Sequence, residues 1–254
     1  MMRTNRVGLA LIAPVLLLSL WVLATTVGGV AAFILPSPLA VVQELGRLLV
    51  SVGLWTDIGW TMLRTMLGFG VGVTLGIGLG LAMGMWRSVH DAMILPVDAF
   101  RSIPATALFP LFMLCLGIGL ESAVVLIAFP CMWLAAINSM YGVRNANPVR
   151  TEMATVYRLT EGQKFLYVTF PDAISSVIAS LRLSIAMCLH MAIIAEMFMG
   201  SEVGIGRRIF DAHMVLRVPE MYACIILVGF LGYAVNLLLV SAESRLSWER
   251  QDRK

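Results

Sequence analysis

Six ionisable side chains sit in stretches otherwise nearly free of charge: Arg64, Asp98, Arg101, Arg182, His190 and Glu196. Each lies in an apolar run long enough to cross a bilayer, where a charge costs about 2.5–3.5 kcal/mol on insertion scales. Side chains kept there pair with one another, face a bundle interior or line a route for solute. Asp98 and Arg101, three apart on one helix, can pair locally. Arg64 and Arg182 then have Glu196 as the remaining opposite charge. Three arginines against two acids leave the interior positive, which points to an anionic solute. Arg64, Arg101, Arg182, His190 and Glu196 are the candidate pathway residues, with structural ion pairing as the other role open to them. His190, standing alone, is expected in the core.

Other chemistries are poorly served. Asp98, His190 and Glu196 could form a proton relay in a secondary transporter, but such folds carry inverted repeats and no long repeat is visible. No nucleophile stands beside a base at a recognisable spacing, which argues against an embedded enzyme. Cys115, Cys131, Cys188 and Cys224 fall far apart inside apolar runs, as buried hydrophobes do, with no metal or disulfide spacing. A Gly-x-x-x-x-Gly-Lys-Ser/Thr phosphate loop does not occur, and the only lysines are Lys164 and Lys254.

The elements that hold these residues must be membrane helices. The 254-residue chain is 59% hydrophobic and 13% charged, against roughly a quarter charged in soluble domains. Mean hydropathy is +0.90. Too few charges exist to cover a soluble surface, so lipid must cover most of it, and no basic block suits nucleic acid. The length predicts one membrane domain over 1–254, an all-α fold of about six transmembrane helices at 7–27, 58–84, 92–116, 122–141, 173–199 and 221–241. The first run is longer than a signal peptide's apolar core and is expected to be retained. With the N-terminus inside, inner segments hold eleven Lys and Arg and outer loops four, Arg47, Arg207, Arg208 and Arg217, so both termini are predicted cytoplasmic.

Ser37 can cap a short helix opening at Pro38, with Val41, Val42, Leu45, Leu48 and Leu49 on one face, lying in the outer interface or packed on the bundle. Gly68, Gly72, Gly76, Gly80 and Gly84 recur every four residues and line one face of the second span. Such a stripe lets another helix approach closely, from this chain or a second copy. Pro96, Pro104 and Pro110 predict kinks or a break in the third span.

One polar stretch interrupts this pattern between the fourth and fifth spans. After a helix stop at Tyr141-Gly142, Asn147 can cap a helix opening at Pro148, with Val149, Met153, Val156 and Tyr157 as an apolar stripe. Thr160 and Gln163 form a capping box for a second short helix, which Pro171 is expected to end. The stretch 143–172 thus predicts two short helices bent at Arg158 to Gly162, their apolar face awaiting a partner on the cytoplasmic side.

That stretch resembles the cytoplasmic Glu-Ala-Ala loop of inner-membrane permeases of binding-protein-dependent ABC importers. Glu152-Met153-Ala154 falls on the Glu-Ala-Ala positions, Arg158 on the family glycine and Phe170-Pro171 on the closing Leu-Pro, with Met for Ala, Arg for Gly and Phe for Leu as departures. "LPSPLAVVQEL", "FRSIPATALFPLFMLCLGIG", "LRLSIAMCLHMAIIAEM" and "VGIGRRI" resemble, in the same order, segments of the nitrate, sulfonate, taurine and bicarbonate branch. The likeness covers most of residues 33–250. It implies a permease of the bacterial inner membrane that pairs as a homodimer and receives solute from an extracytoplasmic binding protein. Two cytoplasmic ATPase subunits would hold the ATP and magnesium. It assigns ATPase coupling to Glu152, Ala154, Tyr157, Arg158, Leu159, Thr160, Glu161 and Gly162, and an anion such as nitrate, sulfonate or bicarbonate as cargo.

Overall fold

The computed structural model describes the backbone of residues 4–251 and the side chains of residues 12–241 except Ser175. Every element among them is helical: α1 (Thr4–Thr26), α2 (Pro38–Val50), α3 (Val52–Met85), α4 (Arg87–Ser102), α5 (Phe109–Leu116), α6 (Leu120–Arg144), α7 (Pro148–Val156), α8 (Glu161–Lys164), α9 (Phe170–Phe198), α10 (Ile205–Met214) and α11 (Val218–Gln251). A single 3₁₀ turn, Ala105–Leu108, precedes α5, and a π-helical turn, Phe165–Thr169, joins α8 to α9.

Among the described residues four helices are long and apolar enough to cross a membrane, in α3, α6, α9 and α11, and the pair α4–α5 makes a fifth crossing if its two arms count as one. The expected six is therefore met only in part. The run 7–27 coincides with α1, but its side chains at 7–11 lie outside the described residues, and Ile12–Thr26 alone is shorter than a crossing. The side chains behind the predicted orientation at the termini, those of Arg3, Arg6, Arg245, Arg250, Arg253 and Lys254, also lie outside the described ones.

Of the three prolines expected to disturb the third span, only Pro104 marks a break. Pro96 rides inside α4 and Pro110 sits in the first turn of α5, where a missing N–H leaves nothing unsatisfied. The two arms meet at 85° across the 3₁₀ turn.

The glycine stripe explains the tightest contact in the bundle. A Cβ on Gly72 would lie 2.7 Å from the carbonyl oxygen of Ala128, and those on Gly76 and Gly80 would run into Met132 and Ala136 backbone, all on α6. Gly70 and Gly78, on the other faces, would meet nothing within 4 Å. The neighbour is thus a helix of the same chain. Gly68 faces Ile127 and Gly84 faces Val143, so α3 and α6 run parallel. The return between them is the bent pair.

Gly142 does not end α6, as the Tyr141-Gly142 pair suggested; the helix runs to Arg144. Its bare Cα instead admits Ser176 and Ala173 of α9, which packs antiparallel to α6. Pro171 likewise ends nothing. It opens α9, and the chain from α8 passes through the π-helical turn, where Phe170 N–H bonds Phe165 C=O five residues back. The helical run is continuous from Glu161 to Phe198, and the π-helical widening just before Pro171 makes room for its ring and its missing N–H.

Three apolar cores result. Val73, Ile127, Cys131, Cys188 and Ala192 join α3, α6 and α9. Val41, Leu48, Leu54, Ile209 and Cys224 join α2, α10 and α11 to the start of α3. Met83, Val97, Trp133 and Met140 tie α4 to the far half of α3 and α6. In α2 the Ser37 hydroxyl accepts from Ala40 N–H, while Val42 and Leu49, expected on the packed face, are exposed. That helix packs on α11 through Val41, Leu45 and Leu48, with Val42 and Leu49 on the outer side. Cys131, Cys188 and Cys224 are buried, whereas Cys115 is exposed.

Candidate functional sites: an elbow and a buried ion network

The packing sorts the molecule into two ends. At one, the last turns of α3 and α6 meet α7, α8 and the start of α9. At the other, the first turns of α3 and α11 meet α10 and the last turns of α9.

The first end carries the elbow. Asn147 Oδ1 accepts from Val149 N–H at 2.9 Å, closing the first turn of α7 with Pro148 at its opening position. Asp172 then fixes this end to α9: it accepts from Asn147 N–H at 3.1 Å and pairs with Arg150 Nη1 at 2.6 Å. The far end of α7 closes with Arg158 N–H bonded to Thr155 C=O and Leu159 N–H to Ala154 C=O, the paired pattern of a Schellman stop. That stop places Arg158 at φ 55°, in the left-handed region that glycine occupies most easily. So a left-handed turn forms here although the residue is arginine. Immediately after it, Thr160 and Gln163 cap each other's backbone at α8.

Within the elbow Ala154 is buried and Leu159 half-buried, while Glu152, Tyr157, Arg158, Thr160, Glu161 and Gly162 are exposed. The apolar stripe Val149, Met153, Val156 and Tyr157 is exposed throughout, Val156 at 80%. Beside it an open pocket of about 520 Å³ runs between Trp86, Arg144, Glu152, Glu161 and Lys164.

The second end carries an ion network. Arg64 Nη1 donates to Glu196 Oε1 at 2.7 Å and to Val203 C=O at 2.8 Å. The other carboxylate oxygen of Glu196 accepts from Thr61 Oγ1 and from Gly206 N–H, both at 2.9 Å. Thr61 in turn accepts from Ile205 N–H. One turn further out, Asp57 accepts from Gly204 N–H at 2.9 Å and from Arg208 Nε at 2.7 Å, and Arg208 reaches on to Glu220, which also holds Arg217 at 2.9 Å. Burial disfavours the charge on Arg208, yet Asp57 and Glu220 outweigh it and hold its pKa above the ordinary arginine value. The loop can wrap the Glu196 carboxylate because Gly204, at φ 136°, has no Cβ; one there would lie 2.5 Å from Oε2.

This arrangement splits the candidate pathway residues. Arg64 and Glu196 are buried and bonded to each other, with Arg64 also 5.4 Å above the Trp60 ring. Arg101 is half-exposed and lies 3.4 Å from Asp98. Arg182 is exposed, its Nε 2.8 Å from Asn236 Oδ1 on α11. His190 is exposed on α9 rather than in the core. Asp57, Arg208, Arg217 and Glu220 were not foreseen as members of a network. The available hint was the spacing of Asp57, Thr61 and Arg64, which carries the face of the glycine stripe outward in polar form.

A family model described as the binding-protein-dependent transport system inner membrane component matches residues 72–247. The chain is 33% identical over 219 residues to an Escherichia coli (strain K12) protein provisionally named aliphatic sulfonates transport permease protein SsuC, covering 86% of this chain and 83% of that one. It is 31% identical to the riboflavin transport system permease protein RibX of Chloroflexus aurantiacus, over 92% and 87% of the two chains. Identity to the nitrate import permease protein NrtB of Synechocystis sp. is 27%, over 83% and 79%. Among solved structures, an amino acid ABC transporter determined with histidines aligns at TM-score 0.63 and 17% identity, over 83% of this chain and 97% of that one. At that identity the likeness speaks for the fold.

Proposed function

The chain belongs to the binding-protein-dependent transport system inner membrane components and is a permease subunit of an ABC importer in the inner membrane, and we propose that it carries a small anion, driven through its elbow by separate ATPase subunits. As in the family generally, ATPase and substrate-binding protein are its partners. In this reading two identical copies of the single domain 1–254 form the conduit, with both termini cytoplasmic, and two ATPase subunits hold ATP and magnesium.

The observation that carries the coupling role is the elbow itself. A nine-residue helix is marginal alone in water, yet this one is capped at both ends and tied to α9 by Asp172, with Val156 and Tyr157 left uncovered. A fixed apolar face of that kind suits a groove on a partner. Glu152 to Gly162 would sit in it, and a push on α7 would reach α9 through Asp172. The binding protein would dock at the opposite end, around α2 and α10. Nitrate, sulfonate and bicarbonate are the anions in view. Two of the relatives are named for sulfonates and nitrate, and Arg101 offers a positive charge within the bent crossing. RibX, named for riboflavin, favours a second reading in which the cargo is an uncharged heterocycle. The Glu196 carboxylate, engaged by Arg64, Thr61 and Gly206, is poorly placed for a proton relay.

Reconstitution with the cognate ATPase and binding protein tests both halves. ATP hydrolysis stimulated by nitrate, a sulfonate or bicarbonate, and abolished by Val156→Asp or Tyr157→Asp, is the expected result. Stimulation by riboflavin alone would turn the cargo to the second reading. Full stimulation in both elbow variants would end the coupling role.

A further inference from the structure

Where α4 breaks toward α5, an open pocket of about 270 Å³ is walled by Phe100, Arg101, Thr106, Phe129, Trp133 and Met187. This is just below the roughly 300–1,000 Å³ of sites for drug-sized ligands. Phe129 and Trp133 stand at the middle of α6, and Met187 near the middle of α9. The pocket therefore lies about halfway through the bundle.

Two independent features give it chemistry. The first is charge. Arg101 is the one charged residue lining it. A guanidinium has five N–H donors, and a single contact to Asp98 at 3.4 Å is beyond the usual N–H···O range. The Arg101 side chain is 53% exposed, a degree of exposure that hydrocarbon would penalise heavily at this depth. Arg64 and Arg182 are already engaged, by Glu196 and by Asn236. The second feature is a rigid aromatic wall. Phe100 stacks on Trp133 at 5.3 Å and 5°, and Phe129 meets Trp133 edge-on at 5.8 Å. Trp133 is 93% buried (7% exposed), and its indole N–H has no acceptor among the described residues.

We propose that this pocket is a solute subsite for a small organic oxyanion, its charged head on Arg101 and its short apolar tail against the Phe100–Trp133–Phe129 wall. The inference rests on the reading of this chain as an anion permease and gives that reading a place and a ligand class. Asp98 competes with the oxyanion for the guanidinium. It takes Arg101 back when the solute leaves, which keeps binding weak enough for passage.

The test uses the purified permease–ATPase complex in lipid nanodiscs, without binding protein. Equilibrium dialysis measures radiolabelled ethanesulfonate and its uncharged counterpart, ethyl methyl sulfone. Saturable binding of ethanesulfonate at one site per permease copy is expected, with the sulfone at least about tenfold weaker, as befits loss of a charge-assisted bond. Arg101→Gln should weaken ethanesulfonate by a similar factor and Arg101→Lys by less. Met187→Trp, which fills the cavity, should weaken both probes. If Arg101→Gln does not assemble, the sulfone comparison and Met187→Trp decide between site and no site. Absence of saturable binding, equal affinity for the two probes, or binding untouched by the variants overturns the subsite. Anion-stimulated ATP hydrolysis in the full system alongside any of those results would leave anion import standing without it. Binding at Arg101 with no anion-driven turnover would do the reverse.

Discussion

Arg64 and Glu196 meet at 2.7 Å although 132 residues separate them in the chain, and both are buried. The pair fastens the first half of α3 to the last turns of α9, and through Val203 and Gly206 it fastens the loop before α10 and the first turn of α10 as well. A buried pair adds little over a well-packed apolar pair, whereas removing one partner strands a charge, at about 3–5 kcal/mol. Glu196→Met and Arg64→Met should each lower the unfolding free energy of the detergent-purified permease by that order. The double variant Arg64→Met with Glu196→Met should lose less than either single change. Additive losses in denaturant unfolding would mean that the two groups do not act as a pair.

The glycine stripe makes a site-by-site prediction. Gly76→Ala and Gly80→Ala drive a methyl into the α6 backbone and should destabilise by about 1–3 kcal/mol each. Gly70→Ala and Gly78→Ala face open space and should leave stability unchanged or slightly raised. Thermal unfolding of the four variants side by side distinguishes these faces; equal shifts in all four would contradict the parallel α3–α6 contact.

Arg158 holds a left-handed backbone that a side chain resists, a strain of about 1 kcal/mol or more. Arg158→Gly should relax it, so the Leu159 amide, which closes the turn, exchanges with solvent about fivefold more slowly, the equivalent of about 1 kcal/mol. Arg158→Val should act in the opposite sense. Hydrogen exchange of the elbow reads both, and unchanged protection in both would show the turn to be unstrained.

Asp172 joins α7 to α9 through a backbone amide and the Arg150 guanidinium. Arg150 is half-exposed, so Asp172→Ala should lower global stability by no more than about 1 kcal/mol. Under the proposed coupling role, solute-stimulated ATP hydrolysis should nevertheless fall severalfold, with basal hydrolysis retained, because the elbow would lose its tie to α9. Retained stimulation would place the linkage elsewhere.

Helix starts were readable along the chain because capping is local. Ser37, Asn147 with Pro148, and Thr160 with Gln163 each act within four residues. The glycine period was readable too, but its partner was not, since nothing within α3 names α6. Local proline rules also misjudged Pro171, because a π-helical widening accepts it within a continuing helix where a regular α-helical turn would not. The ion network escaped for a tertiary reason. Asp57 meets Gly204 and Arg208 across 147 and 151 residues, and arginines read as loop charges turned out to reach the bundle.

With 34 residues, α3 is about 51 Å long, reaching from the ionic clamp at Asp57 to Gly84 beside the elbow. Locked along its length to α6, it has little freedom to bend. Were such a beam to tilt by about ten degrees about its centre, its tips would swing oppositely by about 4 Å, so a shift at the elbow end would be matched by an opposite shift at the Asp57 end.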